Sequence, residues 1–198
     1  MPSTTSFKVL GVAGSTRGNS YSTRALKIAL DHAKARGAEV RLLELGKATI
    51  PLYNPSLQQS KEIQLAAEDV AWANAFILAS PDYHGSMSGT LKNFLDHFFE
   101  EFAGKVFGYV VASHEKGLTV MEQMRTAVRQ CYGWSMPYGV SVNGEQDFKA
   151  GEISNERIAK RIKMMSRDLI VYGALVHEQF VRDLGGLDPD TFAARYRV

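Results

Sequence analysis

Two rhythms of apolar and polar positions alternate along this chain. Phe7 to Ala13 is a short, nearly continuous apolar run and predicts a buried strand. Ser20 to Arg36 places Ala25, Ile28, Ala29 and His32 or Ala33 on one helical face, and Gly37 follows as a stop. Glu39 to Leu45 alternates apolar with charged residues, a second strand. The stretch from Gly46 to Gln59 carries two prolines and little periodicity, and reads as a loop. Lys61 to Asn74 is helical, Ala75 to Ser80 is a third strand, and Ser88 to Phe102 is its helix. Lys105 to Ser113 is a fourth strand, Leu118 to Tyr132 a helix, and Tyr138 to Val142 a short fifth strand. A last helix spans Ser154 to Tyr172, with Ser154 as its cap and Ile158, Ile162, Met165 and Leu169 turned inward.

Five βα units in series predict an α/β protein: a doubly wound, five-stranded parallel sheet with helices on both faces. Neither a second domain nor a repeat is visible. A single domain is therefore expected over 1–198, with a loose N-terminal tail at 1–6 and a weakly patterned C-terminal extension at 175–198, either a docking arm or a mobile segment.

Bulk composition narrows the function classes. Of 198 residues, 45% are hydrophobic and 22% charged, ordinary values for a globular chain. The net charge of +2 arises without any dense Lys/Arg run, so nucleic acid is not an expected partner. No long apolar run predicts a membrane span, and Met1 to Lys8 lacks the basic and apolar regions of a secretory leader. One cysteine, Cys131, rules out an internal disulfide and a multi-cysteine metal site, and fits a cytoplasmic setting.

The chemistry concentrates where strands end. Gly14-Ser15-Thr16-Arg17-Gly18-Asn19-Ser20-Tyr21-Ser22 joins the first strand to the first helix. A helix N-terminus supplies free N–H groups and partial positive charge. Ser15, Thr16, Ser20 and Ser22 add hydroxyls, Asn19 an amide and Arg17 a guanidinium, a donor set suited to a phosphate. A Walker A loop is absent, and glycines at 11, 14 and 18 do not fit G-x-G-x-x-G, although Glu44 stands where a ribose-binding acid would in a dinucleotide fold. A capped helix with a polar loop is the plain alternative.

After the third strand comes Ser80-Pro81-Asp82-Tyr83-His84-Gly85-Ser86. Pro81 fixes a turn, Gly85 permits close approach, and Tyr83 and His84 are planar groups able to flank a ring. In open α/β sheets, ligands bind at the carboxyl ends of strands. One loop for a phosphate and one for a flat ring together point to flavin mononucleotide. His84 is a weaker candidate for acid–base work, because hydride transfer to a flavin needs no side-chain acid. A third loop, Ser113-His114-Glu115-Lys116-Gly117, should meet the other end of the ring. Ser113 is its firmest candidate, and Lys116 offers charge for a reduced flavin. Cys131 and His97 read as packing residues, and no HExxH or GxSxG motif occurs.

Gly14-Ser15-Thr16-Arg17 with Ser20-Tyr21-Ser22, followed by Ser80 to Ser86 and Leu91-Lys92-Asn93-Phe94-Leu95-Asp96, resembles the NADPH-dependent FMN reductase family over about Phe7 to Val142. The resemblance implies a flavodoxin-like fold and an FMN cofactor, with NADPH or NADH as hydride donor and free flavin, a quinone or an azo compound as acceptor. It implies that Ser15, Arg17, Ser20, Tyr21 and Ser22 hold the phosphate and ribityl end, and that Pro81, Asp82, Tyr83, His84 and Gly85 line the ring. It also implies a homodimer or homotetramer built on the helix after the ring loop, whose Phe94, Phe98, Phe99 and Phe102 exceed what one core face needs. The third loop departs from the family, which often has a Gly-Gly pair there. The competing reading is an electron carrier of flavodoxin type that docks proteins without oxidising NAD(P)H. Such carriers are typically acidic, unlike this chain. A fold relative without redox activity is the other.

Overall fold

A computed structural model describes residues 6–197, so five of the residues in the expected tail at 1–6 lie outside the described range. The elements are β1 (Lys8–Ala13), α1 (Tyr21–Lys34), β2 (Glu39–Glu44), α2 (Lys61–Trp72), β3 (Ala75–Pro81), α3 (Gly89–Asp96), β4 (Val106–Ala112) and α4 (Leu118–Gln130). They continue with β5 (Trp134–Ser135), β6 (Val140–Val142), α5 (Gly144–Asp147), β7 (Phe148–Lys149), β8 (Glu152–Ile153) and α6 (Glu156–Gly185).

The main sheet is parallel in the order β2-β1-β3-β4, and β5 and β6 both pair with the far edge of β4. Val106 faces Trp134, whereas Val110 faces Val140, so the offset grows by two residues along that edge. The fifth strand expected at Tyr138 to Val142 is shortened to Val140–Val142, and Trp134–Ser135, not expected as strand, pairs with the same edge, Met136 to Gly139 bulging between the two. β7 and β8 form a small antiparallel hairpin outside the sheet.

Strand alternation divides the core in two. Leu10, Val12, Phe76, Leu78, Phe107, Tyr109 and Val111 face α2, α3 and α4. Val9, Ala13, Ala75, Ile77, Ala79, Val106 and Val110 face α1 and α6. The second face is built of smaller residues, which brings α1 and α6 close to the strands. At Gly11 a Cβ would lie 2.7 Å from Leu30 Cδ1, so a side chain there would force Leu26 and Leu30 of α1 to repack.

Three expectations need correction. The helix read over Ser88 to Phe102 ends at Asp96, because Glu101 takes the Phe99 N–H at 2.8 Å and a 3-10 turn follows at Glu100–Phe102. The aromatic surplus is internal: Phe94, Phe98 and Phe102 are buried, and the exposed Phe99 leans on Tyr132 at 5.3 Å between ring centroids. The last helix starts at Glu156 with Asn155 as its cap and runs 30 residues, well past Tyr172. Half of the weakly patterned extension is therefore helix, ending in a 3-10 turn at Phe192–Tyr196 that Arg197 pins by donating to the carbonyls of Asp183 and Asp188, both at 2.7 Å.

Cys131 caps α4, half buried, with Sγ 3.7 Å from the Phe98 carbonyl; burial pushes its thiol pKa up. His97 shares the Pro51 carbonyl with Asn93 Nδ2 and meets Tyr53 edge-on, so both expected packing roles hold. Among the described residues, no helix is long and apolar enough to cross a membrane, and no cluster of His, Cys, Asp and Glu is arranged to hold a metal ion.

Candidate functional site

The strand order reverses between β1 and β3, and the loops leaving β1, β3, β4 and β6 converge there, at the topological switch point. They enclose a cleft of about 520 Å³. Ser15, Arg17, Asn19, Ser20, Tyr21 and Ser22 line it from the β1 loop, Pro81, Asp82 and Tyr83 from the β3 loop, and Ser113 from the β4 loop. A further compartment of about 680 Å³ adjoins it, sharing Asp82, Ser113 and His114 and bounded by His84, Gly85, Lys116 and Thr119. Every candidate from the sequence except Thr16 therefore borders one of these two adjoining spaces.

Within the β1 loop the candidates divide by role. Ser20 caps α1: its Oγ accepts the Thr23 N–H at 3.2 Å and donates to Thr23 Oγ1 at 2.8 Å. Ser22 is fully buried, with Oγ 3.2 Å from Ser20 Oγ, and Ser15 Oγ accepts the Arg17 N–H at 3.2 Å. These three hydroxyls shape the loop. Among the described residues, no protein acceptor meets the N–H groups of Ser15, Thr16, Gly18, Asn19 and Ser20, and no carboxylate pairs with Arg17. Asn19 sits in left-handed backbone at φ 56°, a conformation asparagine tolerates better than most.

The β3 loop is a miniature hairpin. Tyr83 and Ser86 exchange two backbone hydrogen bonds of 3.0 and 3.1 Å, and the residues between them, His84 and Gly85, both have positive φ (57° and 76°). That is the signature of a type I′ turn. Gln123 of α4 clamps it, its Oε1 accepting the Ser86 hydroxyl at 2.9 Å and the Met87 N–H at 3.0 Å. Asp82 is a strut: Oδ1 accepts the Gly85 N–H at 2.8 Å and Oδ2 accepts the Ser113 hydroxyl at 2.8 Å. Tyr83 and His84 stand exposed at the rim.

The first two loops are latched to each other. The Gly14 carbonyl accepts both the Ser88 and Thr90 hydroxyls, at 2.6 and 2.5 Å. A Cβ at Gly14 would come within 2.8 Å of Leu91 Cβ, so only glycine permits this approach.

Sequence patterns left two parts of the cleft unseen. Arg24 lines it, stacking its guanidinium over the Tyr21 ring at 5.4 Å, with no carboxylate partner among the described residues. A cation in the first turns of a helix opposes the macrodipole, and that mismatch was a readable sign of an anion site. The second part is the wall after β6, formed by Gly144 and Glu145. The Tyr21 ring lies flush on Gly144, where a Cβ would fall 1.9 Å from its Cδ2, and packs on Phe148 at 5.2 Å. Buried Asp147 holds the wall, accepting the Asn143 N–H at 2.7 Å and Asn155 Nδ2 at 2.6 Å. The strand-end rule used for the other loops applied equally to Asn143-Gly144.

Comparisons with known proteins agree with this geometry. The chain is 28% identical over 155 residues to the FMN-dependent NADPH-azoreductase of Staphylococcus aureus, covering 73% of this chain and 81% of that protein. The flavoenzyme NAD(P)H:(acceptor) oxidoreductase FerB of Paracoccus denitrificans superposes with a TM-score of 0.73 at 18% identity, over 85% of this chain and 98% of that one. A flavodoxin from Streptococcus pneumonia TIGR4 superposes with a TM-score of 0.57 at 17% identity, over 83% and 97%. Both structures show the fold, which is flavodoxin-like. The model of the family described as NADPH-dependent FMN reductase matches residues 7–147, the part that carries all four loops of the cleft, and the chain belongs to that family.

Proposed function

We propose that this chain binds FMN in the cleft and, as an NAD(P)H-dependent oxidoreductase, passes reducing equivalents to a small acceptor such as free flavin, a quinone or an azo compound. Donor and acceptor use one place in turn, in a ping-pong cycle. When bound, FMN supplies the hydride chemistry, taking hydride from the nicotinamide and releasing electrons to the acceptor. The observation that carries the reading is the set of N–H groups and two guanidiniums, Arg17 and Arg24, without partners among the described residues, at one end of a cleft whose other end is a hairpin bearing Tyr83 and His84.

The donor set fits the cofactor. Backbone N–H groups from Ser15 to Ser20, the Asn19 amide and the two guanidiniums suit a dianionic phosphate. Ser20, Ser22 and Ser15 keep that loop in shape. Tyr21 closes the cleft against the β6 wall. Pro81, Tyr83 and Gly85 provide a platform, and Asp82 with Ser113 holds the platform to the β4 loop. No protein acid or base is assigned to the transfer. His84 lines the rim.

The chain, residues 1–198, acts as one FMN-binding domain in this reading. Assembly as a homodimer or homotetramer follows the resemblance, and the exposed groove between α3 and α4 beside Met87 and Ala127 is its natural seat. Light scattering checks that point.

The test is an absorbance spectrum of the purified chain after FMN loading and desalting, followed by anaerobic NADPH. A retained flavin band that NADPH bleaches is the expected result. A retained band that neither NADPH nor NADH bleaches, with no oxidation of either at excess FMN, overturns the reductase and supports the electron carrier. Failure to take up FMN, together with no oxidation of NADPH or NADH at excess FMN, overturns both.

A further inference from the structure

A second cavity lies at the opposite end of the sheet. β5 pairs with the first residues of β4, Val106 and Phe107, whereas the FMN cleft lies beyond its last residue, Ala112. At about 3.3 Å per residue the two ends of β4 are about 20 Å apart. The cavity holds about 430 Å³, and Arg125, Arg129, Tyr132, Trp134, Ser135 and Phe192 are the parts of its wall that carry chemistry. Phe192 belongs to the C-terminal 3-10 turn, outside the residues matched by the family model.

Its charge is lopsided. Arg125 spends one guanidinium nitrogen on Glu122 at 2.6 Å, while its Nε is buried with no acceptor among the described residues. Arg129 has no carboxylate partner among the described residues. Arg195 stacks over Tyr132 at 5.0 Å and over Phe192 at 5.6 Å, which holds both rings in place. The acids nearby are Glu122, already bridged, and Glu100, near Arg195. The Nε is closed off from a ligand, but the outer nitrogens of Arg125 and the exposed Arg129 guanidinium can meet an anionic group through charge-assisted hydrogen bonds.

Its rings are placed for stacking. Trp134 stands 60% exposed on an edge strand and beside the arginines, an arrangement that packing alone does not require. Tyr132 holds a left-handed backbone, φ 62°, unusual for an aromatic residue. Beneath them the Tyr109 hydroxyl bonds to Ser135 Oγ at 2.5 Å, leaving a closed polar floor.

From this we propose a binding site for a planar aromatic anion, a carboxylate or sulfonate attached to a ring. The ring lies against Trp134 and Phe192, and the anionic group meets Arg125 and Arg129. The site stands independently of the FMN reading, because it shares no residue with the cleft.

The probe is 1-naphthalenesulfonate, titrated by isothermal calorimetry into the full chain after FMN loading and desalting. One saturable site per chain is expected. Arg129→Glu and Trp134→Ala should each weaken it about tenfold, the scale of one lost charge-assisted bond or one lost stacking face. Arg17→Ala, in the cleft, should leave it unchanged, and uncharged 1-naphthalenemethanol should bind about tenfold more weakly. Arg129 and Trp134 are both exposed, so these variants fold. The proposal is overturned by the absence of a saturable site, by wild-type affinity in both variants, by loss of binding in Arg17→Ala, or by equal affinity for the uncharged probe.

Discussion

The Asp82 carboxylate accepts the Ser113 hydroxyl at 2.8 Å, joining the loop after β3 to the end of β4 across the floor of the cleft. Its other oxygen accepts the Gly85 N–H at the tip of the hairpin. One side chain thus fixes both loops on which a planar cofactor would rest. Asp82→Ala removes both bonds and should weaken FMN retention by about tenfold, since the loops they hold would have to be ordered on binding at a cost of about 1.4 kcal/mol. Asp82→Asn keeps the acceptor toward one partner and should fall between. Calorimetric FMN titration checks the order, and equal affinities for all three chains would remove the strut from the account.

Arg24 and Arg17 are assigned to the phosphate, so their loss should be visible only with a phosphorylated ligand. Arg24→Ala should lower FMN affinity by about tenfold while leaving riboflavin binding unchanged. The comparison of the two ligands by fluorescence quenching is decisive. A parallel fall for riboflavin would mean that Arg24 acts through the Tyr21 ring.

Gly144 lies under the Tyr21 ring, where a methyl group has no room. Gly144→Ala should displace Tyr21, cost about 1–3 kcal/mol of stability and open the cleft beside β6. Chemical denaturation measures the first effect and FMN affinity the second. An unchanged midpoint would show that Tyr21 swings away freely.

Lys105 is largely buried, donates to the Val70 carbonyl at 2.6 Å and lies over the Phe76 ring; burial pulls its pKa down to about 8, against Glu101, which raises it. The unfolded chain binds this proton up to its ordinary pKa near 10.5, whereas the folded chain releases it near 8. The contribution of Lys105 to stability should therefore rise as pH increases across that window, opposed toward pH 10 by Tyr109 and Tyr138, whose pKa values burial raises. The nearby His177, itself shifted down by burial, is neutral throughout that window and does not add to the slope. Lys105→Met should flatten the rise, read as melting temperature at several pH values. An equal slope in the variant would assign the effect elsewhere.

Much of this architecture could be read from the chain because it is local. Three of the first four strands are apolar runs, β2 alternates apolar with charged residues, and each helix is a periodic face, so β1 to β4 and α1 to α4 appear where the pattern puts them, apart from the end of α3. The three loops follow directly from strand ends. Features that depend on distant partners were hidden. Nothing near Gly144 in the chain announces that Tyr21 will cover it, and nothing near Ser22 shows that its hydroxyl will be buried behind Ser20. The surplus of phenylalanines after the ring loop looked like surface because the 3-10 turn that folds Phe102 inward depends on one Glu101 side chain. The extension of α6 was masked by half-exposed residues such as Leu175 and Val181, which blur the periodicity while the helix continues.

The length of α6 has a practical reach. Its cap, Asn155, grips Asp147 and so carries the fourth wall of the cleft. Its far end, about 45 Å away at 1.5 Å per residue, carries the turn bearing Phe192. Shortening the chain just before Phe192 would strip one side from the distant cavity and spare every loop of the cleft. Cutting before Asn155 would dismantle both ends at once. One rod, trimmed at two places, separates what each end of the molecule contributes.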